Sequence, residues 1–194
     1  MFDLGKVIID FSPELMLREM RSRCPKPEDF ERVLANTDLA VRYESGGLTS
    51  EEFFDDLCRL SGLRMTFPEF RQIWASVLAP QLLISEDLLK TLRLRYSMIL
   101  ISNTNEVHVN HIAERHRVFD YFDHKIFSYE VGVMKPDLKI FEHAISLSGK
   151  RPEKHFFIDD RQENVLAARQ LGIHTHQFMS EAGLVSALKG ASVL

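Results

Sequence analysis

Short apolar runs alternate with longer amphipathic stretches over most of the chain. The short runs are rich in β-branched and aromatic residues, as buried strands are. They predict strands at Val7–Ile9, Met98–Ile101, Lys125–Phe127, His155–Ile158 and His174–Phe178. The longer stretches repeat their apolar positions with helical spacing and predict helices at Ser85–Arg95, Asn105–Arg117, Asp137–Ser148 and Glu163–Leu171. Strands separated by helices indicate an α/β fold with a Rossmann-like parallel sheet and helices on both faces.

Residues 13–80 lack this alternation, because they contain several amphipathic helical patterns and no convincing strand. Helix starts are predicted where a capping residue or a proline precedes an apolar pattern. These starts lie at Ser12-Pro13-Glu14, Pro27, Thr49 and Pro68. We therefore expect an α/β core domain of residues 1–12 and 81–194, with residues 13–80 inserted as a small all-helical cap domain.

The composition is that of an ordinary globular chain, with 45% hydrophobic and 27% charged residues among 194. The net charge is −4 and lysine and arginine do not cluster, which argues against nucleic acid as a partner. No apolar run is long enough to predict a membrane span, and no secretory signal pattern opens the chain. We expect a cytoplasmic protein without a membrane partner, and the sequence leaves the oligomeric state open.

Four polar clusters lie near the ends of predicted strands, which is where ligands bind to a doubly wound sheet. Asp3 stands in apolar surroundings near the start of the chain, and Met134-Lys135-Pro136-Asp137 leads into a predicted helix. Ser102-Asn103-Thr104-Asn105 joins a strand to a helix N-terminus, a position that favours an anion. Asp159-Asp160-Arg161 closes an apolar strand. Taken singly, each cluster also fits a helix cap or a solvated turn.

The adjacent carboxylates of Asp159 and Asp160 repel each other unless a cation or hydrogen-bond donors offset their charge. Mg²⁺ suits this position, because it prefers oxygen ligands and binds through one or two carboxylates together with a substrate phosphate. A solvated turn before the next helix is the alternative. The pair alone does not decide between them.

The order of these clusters resembles that of the haloacid dehalogenase (HAD) superfamily of phosphohydrolases, over essentially the whole chain. The motifs are more narrowly similar to the branch that contains bacterial glucose-1-phosphatase-like enzymes. They are Phe2-Asp3-Leu4-Gly5, Ser102-Asn103-Thr104-Asn105, Met134-Lys135-Pro136-Asp137, Asp159-Asp160-Arg161 with Glu163-Asn164, and the cap segment Tyr43-Glu44-Ser45-Gly46-Gly47-Leu48-Thr49. The resemblance implies a HAD-like core with a helical cap.

The resemblance also implies an activity, that of a Mg²⁺-dependent phosphatase for a small phosphorylated metabolite, with a sugar phosphate as one candidate. Asp3 would attack the phosphorus atom and form an aspartyl-phosphate, a reasonable use of a carboxylate because it divides one displacement into two. Ser102 and Asn103 would bind the phosphoryl oxygens. Lys135 would take part in catalysis and substrate binding by neutralising charge on the nucleophile and the transferred group.

By the same resemblance, Mg²⁺ would be bound by Asp3, by the main-chain carbonyl of Gly5 and by Asp160. Asp159 would contribute through water or as a supporting partner. The cation would let an anionic nucleophile approach an anionic phosphate.

The pattern departs from the family near the nucleophile. Many members have a second aspartate two positions after the first, which acts as general acid and base, whereas this chain has Gly5. Lys6 follows where small or amide residues are usual, and it could aid phosphate binding or obstruct it. Only two residues precede Asp3, so either the first strand is unusually short or the chain begins later than its relatives do. Asp10 is expected to brace the loop.

Two rival functions stay open. A 2-haloacid dehalogenase uses the same aspartate nucleophile without a metal, although the Asp159-Asp160 pair argues against it. A catalytically weak HAD-like protein that binds phosphate or a partner would fit Gly5, Lys6 and the short start.

Other candidate residues have simpler structural explanations. The histidines at 108, 111, 116, 174 and 176 are expected at solvated helix and strand positions rather than at a zinc site. Phe67, Phe70 and Trp74 are expected to pack in the core of the cap. Glu44 and Arg42 could face the mouth of the site, but exposed helix positions are the simpler expectation.

Overall fold

The computed structural model describes residues 1–35 and 37–194, in which a helical segment interrupts an alternation of strands and helices. The strands are β1 (Ile9–Phe11), β2 (Leu78–Leu82), β3 (Ile99–Ser102), β4 (His124–Phe127), β5 (Phe156–Asp159) and β6 (His174–Gln177). The helices are α1 (Glu14–Arg21), α2 (Pro27–Leu34), α3 (Thr37–Glu44), α4 (Ser50–Ser61), α5 (Phe67–Trp74), α6 (Glu86–Arg93), α7 (Glu106–Arg115), α8 (Ser128–Val131), α9 (Leu138–Ser148), α10 (Gln162–Gln170) and α11 (Glu181–Gly190).

The main sheet is parallel and has the start of the chain at its centre. Strand β3 pairs with β4, and β5 pairs with β6, both in parallel register. Phe2 forms parallel bridges to Leu100 on one side and Ile158 on the other. The sheet order is therefore β4, β3, residues 1–3, β5, β6, as expected for the α/β, HAD-like class.

The predicted strand Val7–Ile9 is wrong in its first two residues. Val7 and Ile8 are fully buried but lie in a turn, in which the main-chain N–H of Ile8 donates to the carbonyl of Leu4 at 2.9 Å. The apolar run correctly indicates that these residues are buried, but buried residues need not form a strand. The central strand is instead the short segment that ends at Asp3.

Strand β1 pairs antiparallel with β2, which begins at Leu78. The expectation that residues 13–80 contain no strand therefore fails for the last three of them. Leu78 and Leu82 are only partly buried, so this edge strand lacks the strongly apolar pattern of the central ones.

The helix starts follow the capping signals in the sequence. Ser85, Asn105 and Asp137 each accept a main-chain hydrogen bond at the N-terminus of α6, α7 and α9. Thr49 forms a capping box with Glu52 at the start of α4. No described helix combines the length and the apolar composition that crossing a bilayer requires.

The hydrophobic core falls into clusters that follow the chain segments. One cluster is built from residues between Met16 and Leu78, and it includes the fully buried Phe30 and Phe70. As expected, Phe70 and Trp74 stack on each other, with ring centroids 5.4 Å apart, and both contact Phe53. The other clusters pack on the faces of the main sheet. The division into a core and a cap domain stays a prediction.

A buried polar network joins the helical segment to α7. The hydroxyl of Tyr43 lies 3.1 Å from the hydroxyl of Ser50, which donates to Glu106 at 2.8 Å. The hydroxyl of Tyr43 also donates to the side-chain oxygen of Asn105 at 3.4 Å. These bonds fix α3 and α4 against the first turn of α7.

His108 extends this network as a partly buried neutral imidazole. Its Nδ1 accepts from the side-chain amide of Asn105 at 3.1 Å, and its Nε2 donates to the carbonyl of Trp74 at 3.2 Å. Burial lowers the pKa of His108 from 6.5 to about 4. Its expected solvated position is therefore wrong, because the helical segment covers it.

A second contact joins the turn after α3 to α8. Gly46 has a φ of +74°, and a Cβ added there would lie 2.1 Å from the carbonyl oxygen of Tyr129. Only glycine allows this approach, since a larger residue would meet main-chain atoms that have no freedom to swing away.

We expect Gly46→Ala to destabilise the protein through both the backbone and the contact with Tyr129. The left-handed conformation costs a non-glycine residue about 1–2 kcal/mol, and overpacking adds about 1–3 kcal/mol. The free energy of unfolding, measured by urea titration, should fall by the sum of these two costs. Gly132→Ala is the matched control, because Gly132 has the same φ of +74° and nothing within 4 Å of the added Cβ. Equal losses in the two variants would show that the Tyr129 contact is unimportant.

We also expect His108 to make the fold sensitive to acid. Its folded pKa of about 4 lies below the unfolded value of 6.5, so the unfolded chain takes up the proton first. The free energy of unfolding should therefore fall by about 3 kcal/mol as the pH drops from 6.5 to 4. In His108→Gln this loss should be smaller, as measured by urea titration at several pH values. His143→Gln changes an exposed histidine, and its free energy of unfolding should depend on pH as that of the wild type does. If His108→Gln also kept the wild-type pH dependence, the assignment of the acid sensitivity to His108 would be wrong.

Candidate active site

Three of the predicted site residues lie at the carboxyl ends of neighbouring parallel segments. Asp3 ends the central segment, Ser102 is the last residue of β3, and Asp159 is the last residue of β5. All three are buried, with exposed fractions of 7%, 2% and 0%. Lys135 joins them from the loop between α8 and α9. Sheet topology thus brings together residues that are far apart in the sequence, as the α/β prediction required.

Lys135 lies between two buried carboxylates. Its Nζ is 2.7 Å from Oδ1 of Asp3 and 2.7 Å from Oδ2 of Asp159. The ammonium also lies 5.5 Å from the centre of the Phe157 ring, which forms part of its apolar surroundings. Removing one partner of such a buried group leaves an uncompensated charge, at a cost of about 3–5 kcal/mol.

Burial and neighbouring charge set the protonation of this group. Burial raises the pKa of Asp3 from 3.8 to about 6, although Lys135 acts in the opposite direction. Burial alone would lower the pKa of Lys135, but Asp3 and Asp159 outweigh it, and the pKa is raised overall. Asp3 is therefore a carboxylate at neutral pH beside a permanent ammonium, which is the protonation state that a carboxylate nucleophile needs.

Asp159 is saturated with hydrogen-bond donors. Its Oδ1 accepts from the main-chain N–H of Arg161 at 2.9 Å and from the side-chain amide of Asn164 at 3.0 Å. Its Oδ2 accepts from the same amide at 3.1 Å and from Lys135. The sequence motif that contains Asn164 indicates no role for this residue. Its place in the first turn of α10, five residues after Asp159, was the available signal.

The described residues offer one group of acidic side chains that could bind a metal ion. Oxygen atoms of Asp3, Asp159 and Asp160 lie within 4.8 Å of one another. Asp160 is half-buried, and burial together with the charge of Asp159 raises its pKa. A cation would offset this repulsion, so the chemistry of the donor set fits Mg²⁺.

Asn103 uses its side chain to hold Lys135 in place. Its amide nitrogen donates to the carbonyl of Lys135 at 2.8 Å, and its amide oxygen accepts from the main-chain N–H of Lys135 at 2.8 Å. Ser102 lies directly before it, with its hydroxyl 3.4 Å from the carbonyl of Asn103. The loop after β3 is thereby tied to the loop that carries the lysine.

The loop after Asp3 is braced by an ion pair. The Lys6 ammonium donates to Oδ1 of Asp10 at 2.7 Å, and the same oxygen accepts from the main-chain N–H of Phe11 at 2.8 Å. The expectation that Asp10 braces the loop is confirmed. Lys6 has a φ of +58° and a half-exposed side chain that pairs with Asp10. A Cβ built on Gly5 would meet no atom within 4 Å, so open space lies beside the nucleophile.

Comparison with known proteins agrees with this geometry. The D-ribitol-5-phosphate phosphatase of Bacteroides thetaiotaomicron is 29% identical over 190 residues, with 91% of this chain and 89% of that protein covered. A HAD family enzyme of the same organism, solved in complex with magnesium and inorganic phosphate, superposes with a TM-score of 0.81 at 29% identity and 92% coverage of each chain. A predicted HAD-like hydrolase from Porphyromonas gingivalis gives a TM-score of 0.84 at 29% identity, covering 98% and 95%.

A family model gives the same result over most of the chain. The model described as haloacid dehalogenase-like hydrolase matches residues 2–172, a span that contains Asp3, Ser102, Lys135 and the Asp159-Asp160 pair. The chain belongs to the family of haloacid dehalogenase-like hydrolases.

Proposed function

We propose that this protein is a Mg²⁺-dependent phosphatase that hydrolyses a small phosphorylated metabolite through an aspartyl-phosphate on Asp3. The observation that carries the proposal is the buried lysine between two carboxylates, with a third carboxylate beside them. The family membership supports it, as do the relative named as a phosphatase and the related structure with magnesium and phosphate. The relative's name favours a phosphorylated polyol or sugar as the substrate class.

Asp3, Asp160 and the carbonyl of Gly5 would bind the Mg²⁺ ion. Asp159 would act through water, because both of its oxygens already accept hydrogen bonds from the protein. When bound, the ion would shield the negative charges of nucleophile and phosphate from each other. This arrangement explains why an acidic pair and a lysine share one small volume.

Side chains and main-chain groups of the protein would carry out the phosphoryl transfer and bind the phosphoryl group. A carboxylate oxygen of Asp3 would form a bond to phosphorus while the bond from phosphorus to the ester oxygen breaks, and water would then hydrolyse the acyl phosphate. Ser102 and the main-chain N–H groups around Asn103 would bind phosphoryl oxygens, and Lys135 would stabilise the charge on them. The Asn103 side chain would position Lys135.

We further propose that residues 13–80 form a cap on a core of residues 1–12 and 81–194. The separate hydrophobic cluster of this segment supports the division, as do its polar contacts with the loops of the core. A cap over the strand ends would exclude water from the site and select the substrate.

The decisive prediction concerns Asp3→Asn, which keeps the shape of the side chain and removes the nucleophile. We expect phosphate release from phosphorylated polyols and sugars to depend on added Mg²⁺ in the wild type. In the variant it should fall by at least about 1,000-fold. Phosphate release would be measured on a panel of these esters, with and without EDTA.

Asp87→Asn is the control, because Asp87 is 94% exposed on α6 and should leave the rate unchanged. If Asp3→Asn retained turnover, the assignment of Asp3 as the nucleophile would be wrong. Halide release from 2-haloacids without metal would favour a dehalogenase. Phosphate binding without turnover of any ester would favour a catalytically weak binding protein.

Gly5→Asp is expected to increase the rate on substrates with poor leaving groups. The position lacks the general acid and base of many relatives, and the open space there admits a side chain. General acid catalysis contributes about 100-fold to 10,000-fold where it operates, so kcat on alkyl phosphates should rise. With p-nitrophenyl phosphate, whose leaving group needs no proton, kcat should change little.

Gly5→Asn is the matched control for this gain, because it has the same shape without a titrating proton. An equal increase in both variants would mean that the added side chain acts through packing. No increase in Gly5→Asp would show that the chain already supplies the proton from elsewhere.

A further inference from the structure

Asp160 is the half-buried member of the acidic group, and the main chain sets the direction of its carboxylate. Lys135 contacts the other two carboxylates of the group at 2.7 Å each. Among the described residues, no side chain donates a hydrogen bond to the carboxylate of Asp160. Its direction therefore depends on the two peptide groups that flank the Cα atom of Asp160. Contacts that fix these peptide groups also fix where the carboxylate lies.

Both peptide groups that flank Asp160 are held by hydrogen bonds. In the first, the carbonyl of Asp159 accepts from the main-chain N–H of Phe178 at 2.8 Å. The second joins Asp160 to Arg161 and is held at both of its ends. Its N–H donates to Oδ1 of Asp159 at 2.9 Å, and its carbonyl accepts from the side-chain amide of Gln177 at 2.9 Å. Rotation of the main chain at Asp160 would break at least one of these bonds.

Gln177 reaches this peptide group from the neighbouring strand. It is the last residue of β6 and pairs with Asp159 across the parallel ladder, which places its side chain beside the carbonyl of Asp160. Gln177 lies outside residues 2–172, the span that the family model matches. It is exposed, so a substitution there leaves the hydrophobic core intact. Of the contacts described above, this one can be removed without changing an acidic residue.

We propose that Gln177 is a positioning residue that holds the Asp160 carboxylate where it binds Mg²⁺ together with Asp3. The inference rests on the proposed phosphatase function and adds a residue that determines which cation the site prefers. Mg²⁺ requires nearly octahedral coordination at about 2.0–2.1 Å, whereas Ca²⁺ accepts longer bonds and a flexible geometry. A carboxylate that is free to move therefore loses more affinity for Mg²⁺ than for Ca²⁺.

The test measures binding of Mg²⁺ and of Ca²⁺ by calorimetry, without substrate. Gln177→Met keeps the length of the side chain and removes the donor. Hydrogen bonds around metal ligands contribute about 10-fold to 100-fold to metal affinity, and water can partly replace an exposed amide. The dissociation constant for Mg²⁺ should therefore rise by about 10-fold, and that for Ca²⁺ by at most about 3-fold. Gln170→Met, at the exposed last residue of α10, is the matched control and should bind both cations as the wild type does.

Two further measurements separate positioning of the ligand from support of the fold. In phosphate-release assays, the Mg²⁺ concentration that gives half of the maximal rate should rise by the same factor as the dissociation constant. The kcat at saturating Mg²⁺ should stay at the wild-type value. The free energy of unfolding, measured by urea titration without metal, should also be unchanged. A loss of stability in Gln177→Met would mean that the residue supports the fold instead.

Equal Mg²⁺ affinities in Gln177→Met and the wild type would overturn the inference and leave the phosphatase assignment in place. Equal losses for the two cations would overturn it as well, because the geometry of the ligands would then not matter. Calorimetry needs no turnover, so failure of the phosphatase assignment is distinguishable. If the wild type released phosphate from no ester while Gln177→Met still weakened Mg²⁺ binding selectively, that assignment alone would fail. A wild type that bound no Mg²⁺ would contradict both.

Discussion

The ammonium of Lys135 lies 2.7 Å from each of two carboxylates that burial has removed from water, and the arrangement of the site follows from this contact. Asp3 and Asp159 end neighbouring segments of the sheet, so their charges are close together by topology. Without the lysine, their repulsion and desolvation would oppose folding. With it, Asp3 stays ionised at neutral pH, and the remaining carboxylate, Asp160, is free to serve a divalent cation.

Several main-chain and amide contacts keep this charge group in one geometry. The Asn103 side chain pairs with the main chain of Lys135 in both directions, while Asn164 and the N–H of Arg161 hold Asp159. The residues that position the charges are thus as much a part of the site as the charges themselves. The same contacts tie together the loops after β3, α8 and β5, so a change in one loop alters the others.

The helical segment contacts α7 and α8 through polar hydrogen bonds as well as apolar packing. Tyr43, His108 and Ser128 each form hydrogen bonds across this junction. Polar contacts of this kind require correct partners, which makes the position of the segment specific.

Periodicity, capping and motif order are local signals, so the α/β alternation, the capped helix starts and the four polar clusters could be predicted from the residues alone. That reading misplaced a strand at Val7 and Ile8 and missed β2, which begins at the end of the predicted helical block. It also put His108 in solvent. These errors arose because burial and edge pairing depend on residues distant in the sequence. The sequence could not assign Asn164 to Asp159 or Asn103 to Lys135. These pairings became visible only in the folded chain, since a hydrogen bond from a side chain to a distant partner leaves no periodicity or spacing in the sequence.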